Sequence, residues 1–150
     1  MDVKLWLSTD EIRALTTRSN RHAAMQVSLN WLLIAAIFWC VAQWSNPLSW
    51  LIGAMLLGSR QLGLAILMHE AGHNTLFQSP SLNRLIGQWL CAFPILSSLE
   101  AYAASHREHH NLAGTTRDPD LPNYEAYPVS RISFRRKILR DLSGRTGIRN

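Results

Sequence analysis

The sequence predicts an all-α membrane fold: a two-span transmembrane hairpin, an interfacial or re-entrant helix, and a cytoplasmic helix that bears histidines. Three observations carry that expectation. Two long apolar runs are joined by a turn, 13 of the 15 Lys and Arg residues lie outside residues 27–104, and five of the six histidines fall in two short clusters. A greasy middle with basic ends is the segregation a bilayer imposes, with Lys and Arg retained on the cytoplasmic side.

At the N-terminus, Ser8, Thr9 and Asp10 precede Glu11, Ile12 and Leu15, which predicts an N-cap and a short amphipathic interfacial helix carrying Arg13, Arg18 and Arg21. MDVKLWLSTDEIRALTTRSNRH has no apolar core followed by a small-residue cleavage site, so no cleaved signal peptide is expected. The first span is placed at about residues 27–44, where 18 residues carry no charge, near the lower limit for crossing a bilayer. Trp44 and Trp50 suit interfacial anchors. The step Ser45-Asn46-Pro47 is a turn signal, with Pro47 fitting the first turn of a new helix. A second span is placed at about 48–68, apolar apart from Arg60 and Gln61.

Leu85 to Ala104 is apolar but interrupted by Gln88, Pro94, Ser97, Ser98 and Glu100, which argues against a third span. Beyond Leu112, GTTRDPDLPNYEAYPVSR holds three prolines and predicts an ordered cytoplasmic loop without helix or strand. FRRKILRDLSGR then suits a juxtamembrane amphipathic helix with its cations on lipid headgroups.

The net charge of +5 has no accompanying basic run interleaved with aromatics, which excludes nucleic acid in favour of anionic lipid. Cys40 and Cys91 are too few and too far apart for a disulfide framework or a CxxC metal site, and suit small core residues.

The chemistry resides in HEAGH, with His69 and His73, and HREHH, with His106, His109 and His110. Residues three and four apart share one helix face, about 6 Å apart along the axis at four. Five imidazoles exceed what one tetrahedral zinc takes, so ligand number favours two metals with open positions, while zinc, copper, iron and nickel all accept imidazole. Glu70, Glu108, Asp118 and Asp120 are candidates for orienting the rings from behind. If both clusters serve one site they lie on the same side of the bilayer, so residues 85–104 do not cross it and two spans suffice.

Simpler assignments exist for several of these residues. HEAGH alone also fits the HExxH pattern of an intramembrane zinc protease with Glu70 as general base, although that leaves HREHH unexplained. His22, among Arg18, Asn20 and Arg21, suits headgroups. Arg60 is expected to snorkel or to lie near the interface, about 13 Å and half a turn from His69. Asp118 and Asp120 also suit plain turn formation around Pro119, Asn111 suits a cap for the helix bearing HREHH, and Gly63, Gly72 and Gly87 suit close helix packing.

HEAGHNTLF and SHREHHNLAGTTRDPDLPNY, in this order and separation, resemble the first two histidine boxes of the membrane fatty acid desaturase family. The resemblance runs from about Trp31 to Arg145. It implies two Fe ions on the cytoplasmic face, ligated here by His69, His73, His106, His109 and His110. It further implies O2-dependent removal of two hydrogens from a fatty acyl chain, with electrons from a ferredoxin or cytochrome b5 type donor. Hydroxylation of an alkane, carotenoid or sphingoid chain uses the same boxes, and a truncated paralogue kept as a partner is the non-enzymatic alternative. No histidine follows His110, so the family's third box is missing. The chain is expected to be the N-terminal part of one desaturase domain, inactive alone.

Overall fold

The computed structural model describes residues 6–144. The first five residues of the leader and Arg145 of the basic segment therefore lie outside the described residues. By compactness the chain divides into two units, Met1–Ser105 and His106–Asn150. Seven α-helices and no strand occur among the described residues.

Helix α1, Thr9–Thr16, opens on a reciprocal capping box: the Ser8 hydroxyl accepts from the Glu11 N–H and the Glu11 carboxylate accepts from the Ser8 N–H, satisfying two otherwise orphaned donors. Helix α2 is Asn20–Gln43 and α3 is Pro47–Gly72, with Pro47 at its start behind the Asn46 cap. Both helices are long and apolar enough to cross a membrane. Only 11% and 22% of their apolar windows are buried, and Leu32, Phe38, Trp39, Leu51 and Met55 are exposed. Such exposure suits lipid rather than the core of a soluble domain.

Each helix is longer than its apolar run. α2 begins seven residues earlier than expected, at Asn20, and α3 continues through His69 and Glu70, because neither a charge nor an imidazole breaks a helix outside the hydrocarbon.

Residues 85–104 are divided among four elements. Helix α4, Pro80–Ile86, runs into a π-helical turn at Gly87–Ala92 and a 3-10 turn at Phe93–Ile95. Leu96 then adopts a left-handed conformation, with φ 57°, and helix α5, Leu99–Leu112, begins after the bend. The Trp31 indole donates to the Leu90 carbonyl at 3.0 Å and the Gln88 side chain accepts from the Leu99 N–H at 2.9 Å. These contacts satisfy groups that the irregular helix leaves open.

The core of the first unit gathers around the last turns of α3: Leu67, Met68 and Ala71 pack with Phe77, Cys91, Ala92 and Leu99. Glycine permits the closest approaches. A Cβ at Gly87 would stand 2.5 Å from that of Ala71, and one at Gly72 would stand 3.4 Å from that of Ala103. Fully buried Asn83 closes the turn after α3, accepting from the Phe77 N–H at 2.9 Å and donating to the Phe77 carbonyl at 2.8 Å.

Three expectations are revised. Cys91 is buried but Cys40 is exposed on α2, since an apolar residue on a lipid-contacting helix has no need of protein cover. Asn111 stands inside the last turn of α5, not beyond it. The proline-rich loop contains a single helical turn, α6 at Leu121–Tyr124, with Pro122 as its second residue, while the basic segment forms a helix as expected, α7, Arg131–Leu142. The Arg60 guanidinium donates to the Asn30 amide oxygen on α2 at 3.4 Å.

Gly87→Val is expected to lower stability by about 1–3 kcal/mol through overpacking, read as thermal unfolding in detergent. Adding Ala71→Gly should recover part of the loss, and an unchanged midpoint in the single variant would refute the packing argument.

Candidate metal centre

His69 occupies the last turn of α3 and His73 is its C-terminal cap, with the His73 N–H donating to the His69 carbonyl at 3.1 Å. Their rings meet edge to face with centroids 4.6 Å apart. Glu70 Oε1 lies 3.1 Å from His69 Nδ1, and the Thr75 hydroxyl donates to Glu70 Oε2 at 2.8 Å. Glu70 therefore orients the His69 ring through Nδ1, leaving Nε2 as the donor for another partner. Thr75 was not singled out from sequence; it follows the helix end, and no spacing rule ties it to Glu70. The Tyr102 ring, also unanticipated, stands 6.4 Å from that of His69.

All three histidines of HREHH lie on α5. His106 Nε2 and His110 Nε2 are 3.1 Å apart. Two imidazole nitrogens each about 2.1 Å from one ion, at right angles or wider, stand roughly 3.0–3.4 Å apart, so this pair fits a common metal ion. His109 faces a different partner: its Nδ1 is 2.8 Å from Asp118 Oδ1 and 3.6 Å from Asp120 Oδ2.

Asp118 is the hub of the loop. Its side chain is fully buried, and its carboxylate accepts from the Tyr124 hydroxyl, from His109, and from the Asp120 N–H at 2.8 Å. Burial alone would raise its pKa, but these hydrogen bonds outweigh burial and hold it down to about 2. The same contact with Asp118 raises His109 and Tyr124 above their ordinary values. Tyr124 also accepts from the Gly114 N–H at 3.3 Å, so one phenol ties both ends of the loop. Nothing in the sequence marks it, since it follows Asp118 by six positions, at the end of α6.

The carboxylates proposed from sequence thus divide. Glu70, Asp118 and Asp120 are beside histidines, whereas Glu108 is exposed on α5, and no histidine hydrogen bond to it occurs among the described residues. Each of His69, His73, His106 and His110 offers a ligand nitrogen, and His109 keeps Nε2 available behind its carboxylate. Neutral imidazoles with carboxylates on their far nitrogens suit a first-row transition metal.

These boxes lie within residues 45–149, over which the chain matches the fatty acid desaturase family model. The chain belongs to the fatty acid desaturase family. Among curated desaturases, it is 30% identical over 126 residues to dihydrorhizobitoxine desaturase of Bradyrhizobium elkanii, an alignment covering 77% of this chain and 35% of that enzyme. It is also 30% identical over 118 residues to sn-1 acyl-lipid omega-3 desaturase (ferredoxin) of Nostoc sp. (strain 36), covering 76% of this chain and 31% of that enzyme. The chain thus spans about a third of the length of the curated relatives it matches. No solved structure matches it. The histidines of the two boxes are of a kind that could hold a metal ion.

Asp118→Ala should lower the titration midpoint of His109 toward the ordinary histidine value of 6.5, because the carboxylate that favours imidazolium is lost. Histidine NMR on chelator-treated protein reads this directly. A midpoint that stays put would show that Asp118 does not govern His109.

Proposed function

We propose that the protein carrying this chain is an O2-dependent desaturase that introduces a double bond into a lipid acyl chain. In this proposal His69, His73, His106, His109 and His110 ligate a two-iron centre on the cytoplasmic side of the membrane. The observation that carries the reading is the convergence of His106 Nε2 and His110 Nε2, with His109 oriented from behind by buried Asp118. Five imidazoles exceed the needs of one tetrahedral ion, which supports two. The Nostoc relative is named as an acyl-lipid enzyme and for ferredoxin, which supports a lipid substrate and a ferredoxin donor over cytochrome b5.

Iron, when bound, supplies with O2 the oxidising power to break unactivated C–H bonds; O2 is reduced to water with two electrons from the substrate and two from the donor. The chain's own residues do the rest. Glu70 and Asp118 fix the rotation and tautomer of His69 and His109, so that Nε2 carries the lone pair. Thr75 and Tyr124 in turn hold those carboxylates. The apolar faces of α2 and α3 accommodate an acyl chain and keep water from the oxidant. Glu70 is engaged with His69 and Thr75, which favours a supporting role over that of a protease's general base.

The purified protein should contain iron, and His106→Ala or His110→Ala should at least halve it by elemental analysis. A zinc retained in both variants would overturn the proposal. In cells supplying ferredoxin and O2, His73→Ala should abolish new double bonds in extracted lipids. Glu70→Gln should reduce them by about 10- to 100-fold, as for other partners behind metal ligands. Hydroxylated lipids in place of unsaturated ones would assign a hydroxylase.

A further inference from the structure

α3 carries a cation that the metal chemistry does not use. Arg60 follows Pro47 by 13 residues and precedes Gly72 by 12, so it stands roughly 20 Å and 18 Å from the two helix ends. If α2 and α3 cross the bilayer, that is near its midplane, where an ionisable side chain needs a reason to be present.

Its partners are neutral and distant. One guanidinium nitrogen donates to the Asn30 amide oxygen at 3.4 Å and Nε donates to the Ser59 hydroxyl at 3.3 Å. Asn30, only 5% exposed, also donates to the Arg60 carbonyl at 3.4 Å. This arrangement depends on a bare backbone at Gly63, where a Cβ would stand 2.6 Å from the Asn30 oxygen. Asn30 therefore draws the guanidinium toward α2 and supplies no charge. Residues 27–68 contain no Asp or Glu, and among the described residues no carboxylate forms an ion pair with Arg60. Arg60 is only partly buried, and its hydrogen bonds use Nε and one terminal nitrogen of the guanidinium, with none from the other terminal nitrogen among the described residues.

We propose that Arg60 is an intramembrane docking point for a carboxylate, Asp or Glu, on another membrane-spanning helix. Charge complementarity selects this occupant. A second copy of the hairpin would bring another arginine and no acid to the same depth, and a lipid headgroup lies about half the hydrocarbon thickness away, roughly 15 Å. A carboxylate matches the planar fork in a bidentate manner and neutralises it where water cannot. The proposal rests on the reading that α2 and α3 span the membrane.

The test places the chain in phosphatidylcholine vesicles with a synthetic leucine-alanine spanning peptide bearing one central Glu, Gln or Lys, and measures association by energy transfer. The Glu peptide should associate about 5- to 30-fold more tightly than the Gln peptide, as for interhelical polar contacts in lipid, and the Lys peptide least. Arg60→Met should erase the preference. Asn30→Ala, which keeps the cation, should retain it and thereby separate charge from integrity of the hairpin. Equal association of Glu and Gln peptides, or a preference that survives in Arg60→Met, would overturn the docking site alone. Extraction of the chain from the vesicles by alkali would overturn the spanning reading and the docking site with it.

Discussion

Close backbone approach around the last two turns of α3 is the constraint on which the first unit depends. Ala71 meets Gly87 of the π-helical turn, and Gly72 meets Ala103 of α5. Nothing larger than an alanine methyl separates these backbones, so the elements pack at short range without the large aromatic core of a water-soluble domain. Small residues suit a lipid environment, where apolar side chains gain little by leaving the solvent and dispersion contacts decide association. The turn between α3 and α4 is then closed by Asn83, whose amide does for Phe77 what a strand partner would do elsewhere. His69 and His73 inherit their geometry from this packing.

Polar groups are distributed by the same logic. The buried polar side chains Asn30, Asn83 and Asp118 are each multiply hydrogen-bonded, and no buried side-chain nitrogen or oxygen lacks a partner among the described residues. Asn83 braces backbone. Asp118 braces a histidine, and its burial strengthens the contact with His109 by excluding the water that would compete for it. A buried carboxylate held ionised by three donors is a rigid support, which suits a ring whose far nitrogen must point in one direction.

Much of this was legible in the sequence. Apolar runs locate α2 and α3, histidine spacing locates the candidate metal-binding faces, and Ser8 with Glu11 marks the first cap, because each pattern is local in the sequence. The extent of α3 was not, since hydropathy reports where lipid ends and a helix continues until a cap or turn stops it. The division of residues 85–104 escaped for a related reason: Pro94 marks a break, but nothing marks a π-helical turn, whose wider ring is stabilised by the distant indole of Trp31. The partners Thr75 and Tyr124 escaped because loop closure, not spacing, brings them to Glu70 and Asp118. The contact between Arg60 and Asn30 escaped too, because thirty residues separate them and neither carries a pairing signal.

The length of α3 has its own consequence. From Pro47 to His69 the helix rises about 33 Å, against a hydrocarbon thickness near 30 Å. A proposed metal ligand fixed to the end of a membrane ruler has no flexible tether with which to adjust its height. Thicker, sterol-like bilayers would draw His69 toward the acyl region unless the helix straightens, and thinner ones would lift it into the headgroups unless it tilts. Under the proposed function, bilayer thickness would then set which carbon of an acyl chain lies level with the histidines, coupling lipid composition to the position of the new double bond.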